Sequence, residues 1–130
     1  MDDVIVCRVF IPGKLRNPLN GSWGGWRKHW RSAREWREKT AMIILVKGPR
    51  APRLDARRPK RITFTVQTGA PWDSDAVPAA VKPIRDALVD AGIIHSDAPD
   101  SGHEFLYGQR VDRKNRGVDI VVEARSRHGA

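Results

Sequence analysis

The chain has 130 residues, 40% hydrophobic and 30% charged, enough for one compact core and too few for two ordinary domains. That balance excludes a disordered polyelectrolyte, and the longest apolar runs, such as Ile43 to Val46, fall far short of a membrane span. A net charge of +9 points to a polyanionic partner, because lysines and arginines that neutralise phosphates release condensed counterions.

Met1-Asp2-Asp3 lacks the basic start of a secretory signal, so a cytoplasmic location is expected. Val4 to Ile11 is short, β-branched and closed by Pro12-Gly13, which reads as a strand. The lone cysteine, Cys7, lies in that run and is read as a buried structural thiol rather than a nucleophile. From Lys14 to Arg31 the chain mixes Pro18, Gly21, Gly24 and Gly25 with Asn17, Asn20, the bases Arg27, Lys28 and Arg31, and Trp23, Trp26 and Trp30. It reads as a basic loop. The three tryptophans fall at helical spacing, but the paired glycines argue against a helix there. They either stack on unpaired bases or pack beneath the loop.

Ser32-Ala33-Arg34-Glu35 has the form of a capping box. It is expected to open a helix carrying Trp36, Thr40, Ile43 and Ile44, stopped at Gly48-Pro49. Arg50 to Lys60, with Pro52 and Pro59, reads as an exposed basic connector in which Arg57 and Arg58 are available to phosphate. Arg61 to Gln67 alternates apolar and polar residues as a half-buried strand does. Val77, Ala80, Val81, Ile84, Ala87, Leu88 and Ala91 recur at steps of three and four, predicting a second helix closed by Gly92. Pro83 is expected to kink it or mark a restart. Phe105 to Val111 and Val118 to Val122 form two last strands around the turn Lys114-Asn115-Arg116-Gly117. The expectation is an α+β fold of one domain, residues 1–130: a small mixed sheet of about four strands with two main helices, in the order β-α-β-α-β-β.

Charge is segregated along this order. Between Asp73 and Glu104 there are seven acids and two bases, a net charge of −5, which leaves +14 on the rest. A nuclease needs both parts, cations for the phosphate backbone and a small acidic nest for a metal. A solvated acidic helix face has the same composition. Asp73-Ser74-Asp75 lies between a strand and a helix, and Asp97 follows that helix. Asp75 reads as an N-cap and Asp97 as a turn residue, or the three together as hard oxygen ligands for Mg²⁺, with Mn²⁺ as a substitute. Lys82 lies two helical turns past Asp75. It is placed to approach a phosphate, or to pair with Asp86 four residues on. Trp72 is either a wedge at a DNA branch or a floor for the site. The four histidines, with only one cysteine, lack zinc-ligand spacing, and Asp97-Ala98-Pro99-Asp100 lacks the ligand order of a calcium loop.

The stretch Asp73-Ser74-Asp75-Ala76, then Lys82, Asp86-Ala87-Leu88, Gly92-Ile93-Ile94 and Ser96-Asp97, resembles the signature of RusA-type Holliday junction resolvases. Ala76 stands where that family carries asparagine, and Ser96 where it carries the first aspartate of a closing pair. The resemblance implies a homodimeric, magnesium-dependent endonuclease that cuts four-way DNA junctions by paired nicks. It gives Asp73, Asp75 and Asp97 metal-binding roles and Lys82 a supporting catalytic one. Asn17, Asn20, Arg27, Lys28, Arg31, Arg57, Arg58 and Trp72 are the expected DNA contacts. A junction-binding protein without catalysis and a general metal-dependent nuclease are the alternatives.

Overall fold

A computed structural model describes residues 4–17, 25–47 and 56–125. The elements run β1 (Val4–Pro12), α1 (Gly25–Lys47), β2 (Lys60–Thr68), α2 (Ala76–Asp90), β3 (Glu104–Val111) and β4 (Gly117–Ala124). The four strands form one mixed sheet in the order β1-β4-β2-β3. This is the expected α+β architecture. No helix of the described residues is long and apolar enough to cross a membrane.

The alternation of β2 works as its pattern suggests. Ile62, Phe64 and Val66 are fully buried, while Arg61, Thr63 and Thr65 between them are half-buried on the other face. Val118, Ile120 and Val122 of β4 and Val9 and Ile11 of β1 continue the buried face. Against it pack Val77, Val81, Ile84 and Leu88 of α2 and Trp36 and Ile44 of α1 in a single apolar cluster. The strip of α2 residues spaced by three and four is what closes the core. Arg37 of α1 ties the two helices together, donating to both carboxylate oxygens of Asp90 at 2.6 and 2.8 Å.

Three expectations change. First, α1 begins at Gly25, so Ser32 and Glu35 lie inside the helix and form no capping box. Trp26 and Trp30 are therefore helical, and Trp30 is exposed. Propensity lost to tertiary packing here, since α1 runs alongside α2 and its buried residues Trp36, Thr40 and Ile44 share one face. Second, α2 runs through Pro83 as one helix, with no restart. Its burial against the sheet offsets the one missing backbone bond. Third, the last two strands are not a hairpin. β3 pairs only with β2, in parallel, and β4 inserts between β1 and β2, antiparallel to both. The turn between them crosses over the end of β2, where the Asp112 amide donates to the Thr68 carbonyl at 2.9 Å.

One consequence positions the site. β1 and β2 both run antiparallel to β4, and β3 runs parallel to β2. The chain therefore leaves β1, β2 and β3 at the same end of the sheet, and α2 starts from that end.

Candidate active site

Three connections meet at this end: residues 13–17 after β1, residues 69–75 after β2, and residues 112–116 after β3. In sheets with parallel strands, the ends where such connections fan out are where ligands bind. They enclose a cleft of about 570 Å³ lined by Lys14, Leu15, Arg16, Asn17, Gln67, Thr68, Gly69, Ala70, Trp72 and Arg116. The lining has three cations and no acid.

Local bonds fix each wall. The 112–116 turn is held by Asp112, whose carboxylate accepts the amides of Lys114 and Asn115 at 3.2 and 3.1 Å. The Gln67 side chain, itself bound by Arg110, donates to the Asn115 carbonyl. Gly13 donates to the Arg116 carbonyl at 3.0 Å, joining the first wall to the third. Gly69 leaves space for the Arg116 guanidinium. A Cβ there would lie 2.5 Å from its Nη2. Arg116 Nε is buried without a hydrogen-bond partner, and neither Lys14 nor Arg116 has an acidic partner among the described residues. Trp72 packs against the core while lining the cleft. Its backbone is clamped on both sides by Gln109 of β3, whose amide nitrogen donates to the Trp72 carbonyl and whose oxygen accepts from the Trp72 amide, each at 2.7 Å.

The chain leaves Trp72 directly into the acidic pair. Asp73 and Asp75 are exposed, with no ion pair among the described residues. The Asp73 and Ser74 carbonyls accept the amides of Ala76 and Val77 and so start the helix. Asp75 is the N-cap residue, but its own backbone is helical and its side chain makes no capping bond. Its carboxylate is thus not consumed by the helix end.

Asp97 is elsewhere engaged. α2 carries the chain back to the start of β3, and the 91–103 connection folds against the helix. There the Asp97 carboxylate accepts from Lys82 Nζ at 3.0 Å and Arg85 Nε at 3.1 Å. Lys82 also meets Asp86 at 2.8 Å, so the expected pairing with Asp86 forms and Asp97 is added to it. Hydrogen bonding from Lys82 holds the Asp97 carboxyl below the usual carboxylate range, against the opposing effect of partial burial. Asp86, and then Asp97, in turn hold Lys82 more firmly protonated than a free lysine. Lys82 and Arg85 lie seven and ten residues past Asp75, a rise of roughly 10–15 Å along the helix.

The structure therefore brings Lys82 to Asp97 and leaves Asp73 and Asp75 together at the helix start. Among the described residues no three acidic, histidine or cysteine side chains form a group able to hold a metal. Asp73 and Asp75 fit a hard cation by donor chemistry and availability. Asp97 does not join them as arranged, because two cations already hold it.

Of the expected DNA contacts, Asn17 and Trp72 line the cleft. Arg57 and Arg58 are exposed at the start of β2, about 30 Å of strand away, beside the connection that carries Asp97 through the bond from the His95 amide to the Ala56 carbonyl. Arg31 is exposed on α1. Arg27 and Lys28 belong to α1, and Asn20 lies outside the described residues, as does Trp23. Sequence reasoning missed Lys14, Arg16 and Arg116 as one cluster, and Arg85 and Gln109 as supports. The turn holding Arg116 was recognisable, but only the strand order brings it to Gly69. Burial raises the Cys7 thiol pKa, consistent with a structural role. The remaining acids of the acidic window are largely structural: Asp86 and Asp90 pair with Arg37, and Glu104 with Arg61 and Arg125.

A scan against family models and a search of curated proteins both return no match for this chain. The likeness to RusA-type resolvases thus rests on the motif between Asp73 and Asp97.

Proposed function

We propose that this chain is a structure-selective endodeoxyribonuclease, dependent on Mg²⁺ or Mn²⁺, that cuts four-way junctions by paired nicks as a cytoplasmic homodimer. The observation that carries the reading is an acid-free cationic cleft whose Trp72 wall is followed directly in the chain by Asp73 and Asp75, both exposed and without an ion pair among the described residues. A polyanion bound by Lys14, Arg16 and Arg116 would run its backbone past Asp73 and Asp75, so phosphate binding and carboxylate chemistry share one end of the sheet.

Asp73 and Asp75 would hold the cation, and Asp97 would complete the set on leaving Lys82 and Arg85. Bound there, it would supply charge neutralisation at the scissile phosphate and a water of lowered pKa. The protein's own groups have separate tasks. Lys14, Arg16 and Arg116 neutralise and orient the phosphates. Lys82, which keeps its pairing with Asp86 when Asp97 leaves, stabilises negative charge as it grows on phosphate oxygen. Arg57 and Arg58, at the far end of the sheet, suit a duplex arm rather than the cut strand.

The test is cleavage of a synthetic four-way junction with Mg²⁺, against linear duplex of the same sequence. Paired nicks in the junction with little cutting of duplex are expected. Equal cutting of both would favour a general nuclease. Tight junction binding with no nicking in either metal would favour a binding protein without catalysis. The hold of Lys82 and Arg85 on Asp97, together with Ala76 and Ser96, supports that second reading.

A further inference from the structure

The cleft has a shape and lining that a backbone groove alone does not require. Phosphate contacts along a duplex need a row of exposed cations, but here the cations surround a concavity of about 570 Å³ with an indole on its wall. That volume lies within the range of small-ligand sites. The indole is not a loose surface group. Core packing holds Trp72 from one side and the two Gln109 bonds fix its backbone. Thr68 Oγ1 donates to the Ala70 carbonyl at 2.8 Å. The cations that line the cleft without an acidic partner among the described residues are Lys14 and Arg116. An aromatic platform beside clustered cations is the combination that binds single nucleotides, the ring stacking on the base and the cations meeting its phosphate.

We propose that this cleft receives one unstacked nucleotide of a DNA strand, its base against Trp72 and its phosphate on Arg116 and Lys14. The inference rests on the nucleic-acid reading above and specifies it: the preferred substrate offers an unpaired base next to the phosphate that reaches Asp73 and Asp75. Gly69 is a positioning residue in this arrangement. Its missing side chain gives the Arg116 guanidinium its place, and a methyl group there would displace the flexible end of Arg116 rather than the backbone.

The experiment uses the full chain in EDTA, with a single-stranded hexanucleotide carrying 2-aminopurine and a duplex of equal length as probes, read by fluorescence. The single strand is expected to bind at least tenfold tighter than the duplex, with quenching of the aminopurine. Trp72→Ala is expected to lose the quenching and roughly tenfold or more in affinity, while Trp72→Phe keeps most of both. Arg116→Gln and Gly69→Ala should each weaken binding severalfold. Their combination should be no worse than Arg116→Gln alone, since Gly69 acts through that guanidinium. Gly69→Ala is expected to melt with the wild type, which separates loss of binding from loss of fold. Equal affinity for duplex and single strand, or affinity unchanged in Trp72→Ala and Arg116→Gln, would overturn the proposal even if junctions are still cut. If the variants behave as expected but no metal supports cleavage, the nucleotide cleft stands and the nuclease reading falls.

Discussion

His103 should make the protein sensitive to mild acid. The residue is 8% exposed and lies immediately before β3. Nδ1 accepts the Lys60 amide at 3.3 Å, which leaves Nε2 to carry the proton towards His95 Nδ1, 3.2 Å away. A second proton has only Nδ1 to occupy, and taking it breaks the bond to the first residue of β2. Burial, then the charges of Lys60 and His95, lower the His103 pKa to about 4, against a smaller opposing effect of the Ala56 carbonyl. In the unfolded chain the ring titrates near its ordinary value of about 6.5. Above that pH it is neutral in both states and adds no pH dependence. As the pH falls from about 6.5 towards 4, the unfolded chain binds a proton that the folded chain refuses, and stability drops by as much as ~3 kcal/mol. Asparagine at this position can accept the same amide and does not titrate. Urea unfolding of the wild type and His103→Asn from pH 8 to 4.5 reads the difference, in which carboxylate contributions common to both chains cancel. The wild type should lose stability faster, by close to one proton's worth of slope. Parallel curves would refute the assignment of His103 as a buried neutral imidazole.

Four other outcomes are expected. Asp75→Asn should cut cleavage of a four-way junction more than about 100-fold while leaving gel-shift affinity equal or higher, since a negative charge facing phosphate is removed. Lys82→Met should raise the Asp97 pKa towards its ordinary value, read by carboxyl ¹³C NMR, slow single-turnover cleavage, and change stability by no more than about 1 kcal/mol because the lysine is half exposed. Arg57→Ala with Arg58→Ala should weaken binding to every DNA shape and reduce the slope of log K against log salt by about 2, measured by anisotropy across a salt series. Gly117→Ala should lower the melting temperature, costing about 1–3 kcal/mol, because φ there is +159° and the new Cβ would strike the Ile11 carbonyl of β1. Gly69→Ala, facing only the end of the Arg116 side chain, should not.

The elements were legible in the sequence where periodicity is strong and local. The alternation around Phe64 and the three-and-four spacing of Val77, Val81, Ile84 and Leu88 gave β2 and α2 to within a residue or two. Glycine misled at α1. Gly24 and Gly25 disfavour a helix by propensity, yet the helix begins at Gly25, because contact with α2 outweighs a cost of about 1 kcal/mol. Strand order was not legible either. β3 and β4 read as a hairpin because a turn joins them, and nothing local in Lys114 to Gly117 reveals that β2 lies between. The site divides in the same way. That Asp73 and Asp75 share a strand-to-helix junction follows from adjacent pattern changes. The hold of Arg85 on Asp97, and the meeting of Arg116 with Lys14, depend on contacts between distant segments that no spacing rule contains.

The insertion of β4 between β1 and β2 also bears on how the molecule assembles. β1 and β4 lie more than 100 residues apart in the chain, yet they are neighbours throughout their length. The β2-α2-β3 unit is contiguous and can collapse early, whereas β1 has no strand partner until β4 is seated. Such non-local pairing is slow because the loop entropy is lost before the contacts form. Lys14 and Arg116 stand on the flanks of those two late strands. With β2, α2 and β3 alone in place, Lys82 would lie on the helix with Asp73 and Asp75 just before it, and the grip on phosphate would arrive only with the final strand.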